Sequence, residues 1–434
     1  MKQNVNFSIA KERPINKTSV RWRVMFLAFL AIIVAYLDRI NLSVSAPLIM
    51  KEFGWNPAQF GVVLSAFFMG YAILQAPSGW LADKIGGRKI LASGMAWWSV
   101  FTILTPFGKS IGLMMFIRSM LGLGEAVTFP AITSMVSRWM PPAERARAQG
   151  FNLSGMMVGA GAGIPIVALI IQTWGWKLAF YSFGVLGLIW MFIWMTYVTD
   201  KPEQHPGVSA EELKEISQWK AGTEDNTSTQ GNLGIILNSR SVWGLVLGYF
   251  MQNYNWYLFL TWLPGYLVMA RGFDIIKTGI YGMLPYLGAF IFANLSGQIS
   301  DRLVKEYGCN TARKIILYTS FAGSAIFLYF GAHAASPMLA VLFITICVSF
   351  VGMNFAPFWA LPVDIAPRNA GFVSGLMNTS GTVAGIIAPM LTGFVVNTTG
   401  SWIYALSVAM GCSLVGIVVA MFLISAKPVT EIAE

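Results

Sequence analysis

Met115–Pro130 reads MFIRSMLGLGEAVTFP, and its reading decides the fold. It lies inside an apolar run from Ile111 to about Val136, long enough to cross a bilayer as one helix. Two full charges, Arg118 and Glu125, interrupt that run. Each costs roughly 2.5–3.5 kcal/mol at bilayer depth on insertion scales. Seven residues apart is two helical turns, so the two point the same way, with Gly122 on the stripe between them and Gly124 nearby. Such a stripe is a poor face for lipid, and the expectation is that it faces an aqueous cavity.

The rest of the chain agrees with a membrane setting. Of its 434 residues, 56% are hydrophobic and only 11% charged, against about 25% charged in a soluble domain. The mean hydropathy is +0.62. Long apolar runs without polar faces recur throughout, which excludes a large soluble core and implies a polytopic membrane protein. The polar, basic start MKQNVNFSIAKERPINKTSVRWR lacks the apolar core and cleavage site of a signal peptide. Cys309, Cys347 and Cys412 make no metal or disulfide pattern, and His205 and His333 stand isolated. No metal site is expected. A net charge of +10 is compatible with a nucleic-acid partner, but its distribution argues against one. Most of the Lys and Arg fall in the tails and in every second loop, the asymmetry that orients a membrane protein with its basic loops, and here both termini, in the cytoplasm.

Twelve spans are expected, at 24–46, 59–81, 90–108, 112–136, 149–171, 177–198, 241–269, 278–300, 315–334, 338–361, 371–396 and 403–425. They divide the chain into a cytoplasmic tail (1–23), a six-helix bundle (24–198), a cytoplasmic linker (199–240), a second six-helix bundle (241–425) and a short tail (426–434). In the linker, Ser209 with Glu212 has the spacing of a capping box that opens a short surface helix through Trp219, and the Gly/Thr/Ser/Asn-rich remainder reads as flexible.

The halves repeat. Gly79-Trp-Leu-Ala-Asp83-Lys84-Ile-Gly86-Gly87-Arg88-Lys89 follows span 2, and Gly297-Gln-Ile-Ser-Asp301-Arg302, then Arg313-Lys314, follows span 8. Gly150-Phe151 and Gly371-Phe372 open spans 5 and 11. A repeat of six helices is the pattern of transporters whose substrate site lies between the halves.

The loop Gly79–Lys89 resembles the cytoplasmic signature of the major facilitator superfamily. Tyr36-Leu37-Asp38-Arg39-Ile40-Asn41-Leu42, Arg118-x6-Glu125-x3-Phe129-Pro130 and Asn378-x2-Gly381-x3-Gly385-x3-Pro389 together resemble its anion:cation symporter family. That family includes bacterial hexuronate, glucarate and galactonate permeases and is similar to vesicular glutamate transporters and sialin. The resemblance covers nearly the whole chain. It implies an all-helical fold of two six-helix bundles around a central cavity. In similar permeases the positions matching Asp38 and Glu125 carry protons, and those matching Arg39 and Arg118 engage or gate the anion.

The chemistry of these side chains points the same way. A guanidinium presents a planar fork of donors that suits a carboxylate. A partly desolvated acid beside such a cation is poised to take a proton on one side of the membrane and lose it on the other. The alternative is that Asp38–Arg39 and Arg118–Glu125 are static ion pairs holding the bundle together. Buried pairs are weak stability devices, and charges inside spans usually mark pathways, which favours the first reading. Tyr36, Tyr71 and Asn378 are neutral candidates for substrate contacts, as are Tyr249, Asn253, Tyr254, Asn255, Trp256 and Tyr257 of span 7. Two positions depart from the galactonate-permease pattern: Met156 replaces a Gln, and Phe358 a Thr. The site here is more apolar, which leaves room for a smaller or aromatic carboxylate. Gly79, Asp83, Gly87, Arg88, Asp301 and Arg302 are expected to act as gating latches at the cytoplasmic helix ends.

The expectation is therefore a secondary transporter that imports an organic anion, a sugar acid such as a hexuronate, aldonate or aldarate or another carboxylate, by proton symport. A P-loop is absent, so no ATP motor is recognisable, and no covalent reaction or cofactor other than the coupling proton is implied. The expected partners are the substrate and the bilayer, for a monomer in the cell membrane. An uncoupled exchanger or facilitator, and a non-transporting anion receptor, are the other classes to test.

Overall fold

A computed structural model describes residues 18–217, 233–366 and 370–427. The first half contains α1 (Val20–Phe53), α2 (Pro57–Ile85), α3 (Gly87–Leu104), α4 (Ile111–Glu125), α5 (Thr128–Trp139), α6 (Pro142–Trp174) and α7 (Trp176–Tyr197). Two short helices follow, α8 (Ala210–Ser217) and α9 (Leu233–Asn238). The second half contains α10 (Arg240–Met269), α11 (Ile275–Gly282), α12 (Leu284–Tyr307), α13 (Cys309–His333), α14 (Pro337–Met353), α15 (Phe355–Ile365), α16 (Ala370–Thr399) and α17 (Trp402–Phe422). Among the described residues there is no strand.

Three pairs, α4–α5, α11–α12 and α14–α15, are single crossings interrupted by one or two residues. Counting each pair once leaves twelve crossings. Eleven of them are apolar enough to be recognised by hydropathy alone. The twelfth, α10, is long enough to span but carries Gln252-Asn253-Tyr254-Asn255, all buried. Buried polar side chains inside a span mark surfaces turned toward protein or a cavity.

Helix α1 outruns its expected end. It passes Lys51 and Glu52 because Glu52 finds partners on α7, accepting from Trp176 Nε1 and Lys177 Nζ at 2.7 Å each. It stops at Gly54, whose φ of 69° is the left-handed turn a Cβ disfavours. The capping box in the linker forms by half. Glu212 N donates to Ser209 Oγ at 3.2 Å, but the Glu212 carboxylate turns away to α1. It accepts from Val20 N, Arg21 N and Thr18 Oγ1, so a residue of α8 caps the start of α1 from nearly two hundred residues away. The expected end of that helix at Trp219 lies outside the described residues.

The halves meet along two seams. On α2 and α16, Ser65 Oγ donates to Ile386 O at 2.6 Å and Thr382 Oγ1 to Gln75 Oε1 at 2.8 Å. Above them a Cβ on Gly393 would lie 2.3 Å from Pro57 O, which only glycine permits. On α6 and α11, Gly279 and Gly282 sit against Pro165, Ala168 and Ile164. Ser43 of α1 donates to Thr261 O of α10 at 2.6 Å. These contacts run from the middle of the bundle to the end that bears the α1–α2 turn. At the other end, where the linker lies, Gly150 and Gly375 face open space. The contacts described between the halves thus gather toward the first end.

Candidate functional site

The charges of α1 and α4 come together in the first half. Asp38 is 1% exposed, Arg118 2%, Glu125 0% and Arg39 8%. Among the described residues, no Asp, Glu, Lys or Arg of α10–α17 is buried, so the cluster belongs to one half.

The pairing is crosswise between helices, not within each as static pairs would have it. Arg39 Nε and Nη2 of α1 both reach Glu125 Oε2 of α4, at 2.9 Å. The other carboxylate oxygen, Glu125 Oε1, has no partner. Neither oxygen of Asp38 has one, nor do Nε and Nη1 of Arg118. Asp38 faces Thr102 and Trp98 of α3 and shares the charge environment of Arg118 and Glu125. One fork is thus closed on an acid, while the second cation and second acid beside it are unspent.

Aromatic rings enclose the cations. Arg39 lies 4.7 Å from the ring centres of Tyr36 and Phe67 and 5.3 Å from that of Tyr71. Arg118 lies 5.2 Å from the same Phe67 ring. Rings at this distance attract a cation by their quadrupole and leave the donor edge of the guanidinium available to an anion. Phe67 is held there by glycine packing. A Cβ on Gly122 would come within 2.0 Å of Phe67 O, and one on Gly70 would overlap the backbone of Ser119. This corrects one expectation: the space beside Gly122 is filled by α2 and is no part of a cavity.

From the second half, α10 turns Tyr257 toward Arg39 and packs it edge-on to Phe68, ring centres 4.5 Å apart. The structure thereby settles which of the span 7 candidates reaches the cluster. Tyr36 is spent on its own half, donating to Met156 Sδ at 3.2 Å. Asn378 is half-buried on α16, one turn from Thr382, and among the described residues no hydrogen bond joins its side chain to the cluster. Phe67 was missed by the sequence reading. Its signal was there, since it lies one turn before Tyr71 on the same face.

The expected latch residues lie far from this cluster. Arg88 starts α3, where its backbone N–H donates to Asp200 Oδ1 at 3.1 Å and its guanidinium donates to Met195 O at the end of α7. Gly87 packs against Ala131 and Met135 of α5. Arg302 is exposed. The side chains of Gly79, Asp83 and Asp301 lie outside the described residues. In the second half the clasp is made by Arg313 Nε to Asp364 Oδ2, 2.9 Å, joining α13 to α15. A cavity of about 740 Å3 at the linker end, lined by Lys84, Arg138, Asp200 and Lys201 among others, is separate from the charge cluster.

The comparisons with known proteins place the chain in a family. Residues 28–389 match the model of the Major Facilitator Superfamily, and the chain belongs to that family. It is 36% identical over 402 residues to the probable anion transporter 1, chloroplastic, of Oryza sativa subsp. japonica, covering 92% of this chain and 75% of that one. It is 35% identical to the probable sulfoacetate transporter SauU of Cupriavidus necator, covering 89% and 90%. The crystal structure of a bacterial homologue of the human lysosomal transporter Spinster, in an inward-facing and unoccupied conformation, superposes with a TM-score of 0.75. It is 17% identical and covers 93% of this chain and 96% of its own. The protein is a multi-pass membrane transporter of the anion-transporting kind, not an enzyme.

Proposed function

We propose that this protein imports an organic anion across the cell membrane together with protons, by alternating access, as a monomer with both termini in the cytoplasm. The observation that carries the reading is the closed Arg39–Glu125 fork beside an unpaired Arg118 and an unpaired Asp38. While Glu125 is ionised it occupies Arg39. A proton on Glu125 removes the charge that strengthens those bonds, and Arg39 is released to a substrate carboxylate. Arg118 supplies the second cationic contact. Proton and anion then bind together, and neither alone completes the site. Asp38 takes a second proton without touching substrate. Tyr71 and Tyr257 close the site from the two halves, and Asn378 meets substrate as it enters.

In this proposal the linker end is the cytoplasmic end, and Gly79, Asp83, Gly87, Arg88, Asp301 and Arg302 latch it when the other end opens. The test is uptake into proteoliposomes with an imposed inward proton gradient. Accumulation that rises with the gradient supports symport. Equal uptake with and without it leaves an uncoupled exchanger, and no uptake of any anion by a protein that binds one leaves a receptor.

A further inference from the structure

We infer that the anion carried has an apolar or aromatic body with few hydroxyls; this rests on the reading of the cluster as an anion site. A sugar acid needs several side chains that donate to and accept from its hydroxyls. The sequence offers such groups in plenty on α10, but the structure ties each of its three amide nitrogens to a backbone carbonyl, and the one tyrosine hydroxyl without a partner, that of Tyr254, faces Thr392 of α16. Asn253 Nδ2 donates to Tyr249 O at 2.9 Å and Asn255 Nδ2 to Met251 O at 3.1 Å, each one turn back on its own helix. Gln252 Nε2 donates to Val351 O at 2.8 Å, and its Oε1 receives Asn354 Nδ2 at 3.1 Å. That pair satisfies the backbone where α14 gives way to α15, so it is occupied by the broken span. Tyr36 donates to Met156.

What faces the cations instead is ring surface: Phe67 and Tyr71 from α2, with Tyr257 against Phe68 from the other half. Farther along α10, Tyr249 packs on Phe358 with ring centres 5.4 Å apart, and Phe358 is fully buried. A hydroxyl enclosed here without a partner loses its hydrogen bonds to water, which costs roughly tenfold in affinity for each. A carboxylate on an aromatic or aliphatic body loses nothing comparable. Its charge meets the guanidinium edges and its body meets the rings.

The test uses the full-length protein, purified, and four probes: benzoate, phenylacetate, gluconate and glucuronate. Thermal stabilisation and counterflow in proteoliposomes are measured for each, without a proton gradient. Benzoate or phenylacetate should stabilise and exchange, with gluconate and glucuronate at least about tenfold weaker. If a sugar acid binds as tightly as the aromatic acids, this inference is overturned while anion transport stands. If no probe binds or exchanges, the anion reading falls and takes the inference with it. Met156→Gln offers Tyr36 an amide and gives a hydroxyl a partner, so it should move the preference ratio toward gluconate. An unchanged ratio would overturn the part given to Met156.

Discussion

Arg39 and Glu125 are joined through a single oxygen: both donors of the fork converge on Oε2, and Oε1 is bare. A bidentate pair would use both oxygens and hold the acid ionised more firmly. The converged arrangement leaves one lone-pair face of a buried carboxylate ready for a proton. Glu125→Gln copies the protonated form. It should lose gradient-driven accumulation but keep counterflow. Linkage also fixes the sign of the pH effect: if proton and anion bind together, wild-type substrate affinity rises as pH falls. In Glu125→Gln that dependence should flatten, apart from the part that belongs to Asp38. Full gradient-driven accumulation by both Glu125→Gln and Asp38→Asn would remove the coupling role from both acids.

Removing only the cation has a different signature. Arg39→Ala strands Glu125 without its counter-charge in a dry site, at a cost of about 3–5 kcal/mol. Thermal denaturation should show a large loss, and uptake should stop. Arg39→Met combined with Glu125→Gln should recover most of the stability and none of the uptake. If the double variant is as unstable as Arg39→Ala, the pair is not what stabilises this contact.

Arg118 is held over the Phe67 ring, and its Nε and Nη1 have no partner, which leaves those donors to cargo. Arg118→Lys keeps the charge and loses the planar donors. Uptake should fall by about tenfold or more, a loss of roughly 1.4 kcal/mol of binding. Unchanged affinity in this variant would rule out the forked contact.

The α2–α4 packing gives a stability test with its own control. Gly122→Ala would drive a methyl into Phe67 O and cost about 1–3 kcal/mol through overpacking. A Cβ on Gly112, in the same helix, has nothing within 4 Å. Gly112→Ala should therefore leave the melting temperature close to wild type, and equal losses at both positions would contradict the packing described.

The linker offers a pH test outside the membrane. His205 is buried, edge-on to Trp139 and Tyr197, with Nδ1 accepting from Gly207 N at 3.1 Å. Burial pushes its imidazole below the ordinary histidine range, so the folded linker prefers the neutral ring. Its contribution is present above the unfolded value, near pH 6.5, and is lost as pH falls below it. Cleavage by trypsin at Lys201 and Lys214 should accelerate between pH 7.5 and 5.5, and His205→Phe should abolish most of that change.

Much of this was legible in the sequence, for definite reasons. Apolar run length locates the crossings, and the two-turn spacing of Arg118 and Glu125 puts them on one face. What the sequence lacks is the partner helix. Nothing in the periodicity of α1 or α4 says that Arg39 will choose Glu125 over its own neighbour Asp38, because that choice depends on how two helices far apart in the chain are rotated against each other. Gly122 was misread for the same reason: a missing side chain looks alike whether a cavity or a helix backbone fills the space. Glu212 was assigned to its own helix because capping boxes are local, whereas the free N–H groups at the start of α1 were a competing claim visible only in three dimensions. The breaks after Glu125 and at Asn354 did carry a signal that the sequence reading passed over: Pro130 and Pro357 each follow by a turn, and a proline can neither donate to the carbonyl four residues back nor pack against it.

The four charges of the cluster have an electrical consequence. With both acids ionised, Asp38 and Glu125 cancel Arg39 and Arg118, and the described part of the second half adds no buried charge. The empty carrier therefore reorients without moving net charge through the field, and the membrane voltage acts on the cargo alone. A monoanion with one proton crosses silently. Each further proton makes the cycle electrogenic, worth about 2.3 kcal/mol per 100 mV. Under the proposed coupling, the current that accompanies each molecule of a monoanion counts its protons beyond the first.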